Sequence, residues 1–128
     1  MIQVVCGIIK FNDNDILISK RSLHKNEYPG IWELPGGKVN DKETNINALK
    51  REIKEELDLE VVVDKLIYCI KHFNNKYDVW YYQCLSECKK IKLNNEVETY
   101  KFINKKDYDN YKMMPNDKFI LNYIKSFQ

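Results

Sequence analysis

Residues Gly37 to Leu59 read GKVNDKETNINALKREIKEELDL. From Thr44 onward the stretch has helical periodicity. Ile46, Leu49, Ile53 and Leu57 recur at intervals of three and four and form one apolar stripe, so the spacing predicts a helix over Thr44–Leu57. At about 100° per residue, Glu52 and Glu56 stack on one line bordering that stripe. Glu55 lies beside them, whereas Lys50 and Lys54 fall on another side. Like charges four apart cost an isolated helix about 0.2–0.5 kcal/mol. A helix that defies its own local preference marks a candidate site. Three carboxylates on a rigid helix, near a Gly-rich turn, suit a hard cation. Mg2+ takes oxygen ligands in octahedral geometry and keeps positions for water and phosphate oxygens. Arg51, four residues before Glu55, can brace that carboxylate. The alternative reading of the same pattern is a solvated acidic face.

Upstream, the Pro and two Gly of Trp32-Glu33-Leu34-Pro35-Gly36-Gly37 predict an irregular backbone. Val4–Phe11 is β-branched and apolar and reads as a buried strand. Asn12 to Asp15 is a turn cluster, and Ile16–Lys20 is the second strand of a hairpin. Downstream, Glu60–Phe73 and Tyr77–Glu87 read as long strands around the turn Asn74-Asn75-Lys76. Lys89–Asn95 is a polar loop or hairpin, and Glu98–Ile103 is a further strand. Asn116–Phe127 is a second amphipathic helix, with Asn116 as N-cap. Its predicted inner side carries Phe119, Ile120, Tyr123, Ile124 and Phe127. No repeat, low-complexity tract or linker interrupts this order. Strands flanked by two helices predict an α/β sandwich, a single domain over residues 1–128.

Composition sets the function classes. The chain has 128 residues, with 21 basic and 19 acidic side chains and a net charge of +2. That length supports one domain with its own core. The small net charge argues against a dedicated nucleic-acid binder, which carries a strongly basic patch. No apolar run reaches the roughly 20 residues needed to span a membrane. The N-terminal MIQVVCGIIKF lacks a basic leader and a small-residue cleavage pattern, which predicts a cytoplasmic protein. Cys6, Cys69, Cys84 and Cys88 read as small apolar strand residues; their spacings lack the tight pairing of zinc sites. Only Arg21 and Arg51 among the 21 basic residues are arginines. These are places where a planar fork can hold carboxylate or phosphate.

The 37–59 stretch closely resembles the Nudix box, Gly-x5-Glu-x7-Arg-Glu-U-x-Glu-Glu-x-Gly-U, where U is a bulky aliphatic. Gly37, Glu43, Arg51, Glu52, Ile53, Glu55, Glu56 and Leu59 match. The box Gly is replaced by Asp58, which tolerates the left-handed conformation that ends such a helix. Cys6-Gly7-Ile8-Ile9, Leu17 to Arg21, Trp32 to Lys38 and Pro115-Asn116-Asp117 resemble the MutT branch, which includes 8-oxo-dGTP diphosphatases and CTP pyrophosphohydrolase-like proteins. The resemblance implies an α/β/α sandwich around a mixed sheet. It also implies Mg2+- or Mn2+-dependent hydrolysis of a nucleoside triphosphate to monophosphate and pyrophosphate.

By position, Glu52 and Glu56 would be metal ligands and Glu55 a ligand or general base. The Gly36 carbonyl would join the metal site, and Glu43 with Arg51 would fix the helix carboxylates. A further acidic ligand would be Glu96 or Glu98, with Glu98 preferred. Arg21 and Lys38 match phosphate-contacting positions, although Lys38 also reads as a solvated residue after a turn. Asp117, next to Asn116, would meet the base edge or simply sit in the first turn of its helix. Trp32, Tyr77 and Trp80 would supply a stacking face or belong to the core. Another nucleoside diphosphate derivative (a dinucleoside polyphosphate or a nucleotide sugar) is the alternative substrate. A non-catalytic nucleotide-binding module is the alternative role. Homodimers are common in the resembled family.

Overall fold

A computed structural model of the chain describes residues 1–127. The elements run β1 (Ile2–Lys10), β2 (Ile16–Arg21), β3 (Trp32–Glu33), β4 (Gly36–Lys38), α1 (Asn45–Leu57), β5 (Val62–Phe73), β6 (Tyr77–Leu85), β7 (Val97–Ile103), a 3₁₀ helix (Lys105–Asn110) and α2 (Pro115–Lys125). The strands form one mixed sheet ordered β3-β2-β1-β6-β5, with β4 paired to β1 and β7 to β2. β1 and β6 run parallel, from Ile2 opposite Tyr77 to Lys10 opposite Leu85. The expected hairpin is present, with Lys10 opposite Ile16, yet the long partner of β1 is β6.

Alternation along β1 divides the core in two. Cys6 and Ile8 join the cluster under α2, with Ile120, Leu121 and Ile124. Val5 and Ile9 join the cluster under α1, with Leu49, Ile53 and Leu57. One sheet with a helix on each face is the predicted sandwich.

Each end of α1 has a local cause. The Thr44 side chain accepts the Asn47 N–H at 3.1 Å, an N-cap that satisfies an otherwise free donor. At the other end Asp58 takes φ 53°, and its N–H donates to the Lys54 carbonyl at 3.0 Å, so Asp does here what Gly commonly does.

Several expectations need correction. Ile46 is 44% exposed. Its angle is right, but it sits in the first turn, and the buried face is Ala48, Leu49, Ile53, Glu56 and Leu57. In α2, Phe119 and Phe127 are exposed while Asp117 and Leu121 are buried. Burial of Asp117 turns the helix so that Phe119 falls outside the inner arc, and Phe127 lies beyond the helix end. The N-cap of α2 is Met114, without a side-chain bond, and Pro115 opens the helix; Asn116 does not cap it. In the Trp32–Gly37 segment two short strands, β3 and β4, flank an irregular bend at Leu34-Pro35.

Candidate active site

A cleft of about 590 Å³ opens where α1, β4 and the start of α2 meet the sheet. Glycine shapes its floor. A Cβ on Gly36 would stand 1.9 Å from the Val5 carbonyl oxygen, and one on Gly37 would stand 2.3 Å from Glu52 Cδ. The β4 backbone therefore packs directly against β1 and against a carboxylate of α1.

The helix carboxylates divide by function of place. Glu52 and Glu56 line the cleft. Glu55 does not; its side chain is about half exposed and pairs with Arg51 Nη1 at 3.3 Å. Arg51 is the hub. Its Nε donates to Glu43 Oε2 at 2.8 Å, its Nη2 to Glu43 Oε1 at 3.0 Å and to the Lys38 carbonyl at 3.1 Å, and its Nη1 to Glu52 Oε1 at 2.9 Å. The forked guanidinium thus ties the loop before α1, strand β4 and the helix together, which Lys could not do. The bonds from Arg51 hold the Glu43 carboxyl down at about 2.

Glu56 is the opposite case. It is 9% exposed. Burial pushes its carboxyl up to about 9, with further upward pressure from Glu33, Glu52 and Glu96. Burial also raises Glu52 against the pull of Arg51. Among the described residues no group of three or more His, Cys, Asp or Glu is set close enough to hold a metal ion. The donor set nevertheless fits one chemically: buried carboxylate oxygens that disfavour each other's charge gain from a hard cation.

Of the two acidic candidates, Glu96 and Glu98, the structure brings only Glu96 to the cleft. Glu96 lines the cleft and meets Lys25 Nζ at 3.5 Å. Glu98 is exposed. The β2–β7 register sets Lys20 opposite Thr99 but Arg21 opposite Val97. Glu98 is the extra residue of that bulge, and the bulge shifts side-chain parity along β7.

Arg21 lines the cleft, with Nη1 donating to Glu33 Oε1 at 3.1 Å and Nε to the Glu27 carbonyl at 3.1 Å. Lys38, Asn116, Tyr77 and Asp117 also line it, whereas Trp32 and Trp80 do not. Trp32 packs edge-on against Tyr111 at 5.2 Å, and Trp80 donates to Gln3 Oε1 at 2.7 Å. Asp117 is buried. Its Oδ2 accepts the Leu34 N–H at 2.8 Å and its Oδ1 accepts the Tyr81 hydroxyl at 2.7 Å. Burial raises its carboxyl to about 6. Asp117 thus anchors α2 to the sheet and lines the cleft.

Sequence reading missed Glu33, Lys25, Lys76 and Phe73, all of which line the cleft. Burial outweighs the pull of Arg21 and takes the Glu33 carboxyl up to about 7. Part of the signal for Glu33 was present, an acid within the apolar run Ile31 to Pro35, but its pairing with Arg21 spans twelve residues and shows only in the fold.

A NUDIX domain model matches residues 1–123. The chain belongs to the Nudix family. It is 37% identical over 71 residues to the 8-oxo-dGTP diphosphatase of Proteus vulgaris, covering 56% of this chain and 62% of that protein. It is 40% identical over 67 residues to the CTP pyrophosphohydrolase of Escherichia coli strain K12, covering 52% and 48%. The matched stretches thus span about half to three fifths of these curated relatives. The MutT protein of Methanosarcina mazei Go1 superposes with a TM-score of 0.83 at 21% identity, covering 98% of this chain and 93% of that one. That likeness shows the Nudix fold, and the Nudix box of this chain is the segment that builds the cleft's acidic side.

Proposed function

We propose that this Nudix protein hydrolyses a nucleoside triphosphate to a monophosphate and pyrophosphate in a reaction that needs Mg2+ or Mn2+. An oxidised purine triphosphate such as 8-oxo-dGTP, or CTP, is the expected substrate, drawn from the cytoplasmic nucleotide pool. The observation that carries the reading is the make-up of the cleft. Glu52, Glu56 and Glu96 line the same space as Arg21, Lys25, Lys38 and Lys76 and the rings of Phe73 and Tyr77. Its volume lies within the roughly 300–1,000 Å³ of small-ligand clefts.

Glu52, Glu56 and Glu96, with the Gly36 carbonyl, would hold the metal. Bound there, a divalent ion neutralises diphosphate charge and activates water. Arg21 and Lys38 would orient phosphate oxygens. Glu43 and Arg51 would keep Glu52 in place, and a carboxylate of the cleft, or Glu55 beside it on α1, would accept the proton of the attacking water. The test is pyrophosphate release with Mg2+ across canonical and oxidised triphosphates. Selective release supports the reading; no release from any member overturns it.

Two further outcomes follow. The carboxyl of Glu56 titrates higher in the folded chain than its ordinary value of 4.5. Its contribution to stability is therefore present at low pH and lost as pH rises toward about 9. Metal binding needs the ionised form, so Mg2+ should raise Tm more at pH 8.5 than at pH 6, measured against EDTA. An equal increment at both values would contradict this assignment. Separately, Glu96→Gln should raise the Mg2+ concentration for half-maximal activity by about fivefold or more, whereas Glu98→Gln should stay within about twofold. Titration of activity with metal checks both, and the reverse ranking would restore Glu98.

A further inference from the structure

The aromatic wall of the cleft depends on an irregularity in β5. Ile70 stands opposite Val79 and Phe73 opposite Tyr77. Lys71 and His72 therefore share one partner, Asp78, in a two-against-one bulge. The extra residue changes parity. In a regular strand Ile70 and Phe73, three apart, would face opposite sides. Here both pack on the cluster under α2, and Phe73 lines the cleft.

The bulge costs a strained residue, since His72 takes φ 57°. Asp78 supports it. Its Oδ1 accepts the His72 N–H at 3.0 Å, and its Oδ2 accepts Gln3 Nε2 at 3.0 Å. Gln3 is fixed in turn by Trp80 Nε1, which donates to Gln3 Oε1 at 2.7 Å. With His72 in this conformation its carbonyl accepts the Asn75 N–H at 2.9 Å, which closes the turn carrying Asn74 and Lys76 to the cleft. Asp78 lies between Tyr77 and Val79, which line the cleft, so it is on the opposite face of the sheet with Trp80. It is only 7% exposed.

We propose that Asp78 is a positioning residue: from the far face of the sheet it holds the His72 bulge and thereby aims Phe73 and the following turn at the base of the bound nucleotide. The proposal rests on the hydrolase reading for its substrate, and on β5 geometry for its cause.

The test combines kinetics on the best triphosphate of the panel with amide exchange at His72. Asp78→Ala should speed His72 exchange by about tenfold or more and raise KM by about five- to tenfold, with kcat within about twofold. Asp78→Asn keeps an acceptor oxygen for the His72 N–H but loses the bond from Gln3 Nε2, so it should move both readouts far less than Asp78→Ala. In a Phe73→Ala background, Asp78→Ala should raise KM by much less than in wild type, because residues acting largely through one contact are not additive. Gln3→Ala, which leaves the Asp78–His72 bond, should move both readouts in the same direction by less, and serves if Asp78→Ala does not fold. Unchanged His72 exchange, an equal KM rise with and without Phe73, or a loss in kcat alone would overturn the proposal. If no triphosphate is turned over, the hydrolase reading falls, while His72 exchange still decides whether Asp78 holds the bulge.

Discussion

Glu56→Gln is expected to lower the hydrolysis rate by about a thousandfold and, in the same protein, to raise the stability of the metal-free fold. The first effect would follow from losing a proposed anionic ligand, at a site where a bound divalent ion would supply several kcal/mol of charge stabilisation. The second comes from burial. Wild-type Glu56 is held near 9 in the folded chain against 4.5 ordinarily, so at pH 7 the unfolded state gains by ionising and the folded state does not. That difference is on the order of 3 kcal/mol. Glutamine has the shape of the neutral acid and releases no proton on unfolding, which removes the penalty. With EDTA present, Tm should rise by roughly 5–10 °C, and the gain should shrink below pH 5. A fall in Tm at pH 8 would show that the Glu56 carboxylate is already compensated without metal.

The second large effect separates two adjacent glycines. Gly36→Ala places a methyl 1.9 Å from the Val5 carbonyl oxygen and 2.8 Å from Cys6 Cα. Both are backbone atoms of the central strand and cannot yield without breaking β1 from β4. Loss of about 3 kcal/mol or more, or failure to fold, is expected. Gly37→Ala instead meets Glu52 Cδ at 2.3 Å and its carboxylate oxygens at 2.4 and 2.8 Å. A side chain can rotate away, so this variant should fold, with Tm within about 5 °C of wild type, while Glu52 leaves Arg51 and the cleft. Activity should fall by about a hundredfold, and the metal requirement should rise. Denaturation and kinetics on the two variants check the contrast; similar behaviour in both would mean that Glu52 is as rigid as the backbone.

What the sequence disclosed about this fold follows from distance along the chain. The two helices, the long strands and the carboxylate line of Glu52 and Glu56 are local periodicities, and they were legible. The Arg51–Glu43 fork spans a loop, and only the family resemblance pointed to it. Glu96 could not be separated from Glu98, because the bulge that settles their sides is fixed by pairing with β2 at Lys20 and Arg21. Trp32 and Trp80 carry rings that suit stacking, but their places outside the cleft depend on Tyr111 and Gln3, distant in sequence. The role of Asp78 is hidden for the same reason, since alternation alone gives no warning of an extra residue opposite it. Asp117 shows a different difficulty: an acid in a first helical turn reads as dipole complementarity, and only the Leu34 and Tyr81 partners reveal it as an internal tie.

The parallel pairing of β1 with β6 also has a consequence for biosynthesis. Residues 2–10 leave the ribosome long before their main neighbour, 77–85. Until that strand emerges, an apolar segment containing Val4, Val5, Ile8 and Ile9 has only local partners. Such non-local pairing slows folding and leaves hydrophobic strand edges open to misassociation. The newborn chain should therefore resist limited proteolysis only after Leu85 has cleared the exit tunnel, and earlier fragments should be the form that needs chaperones.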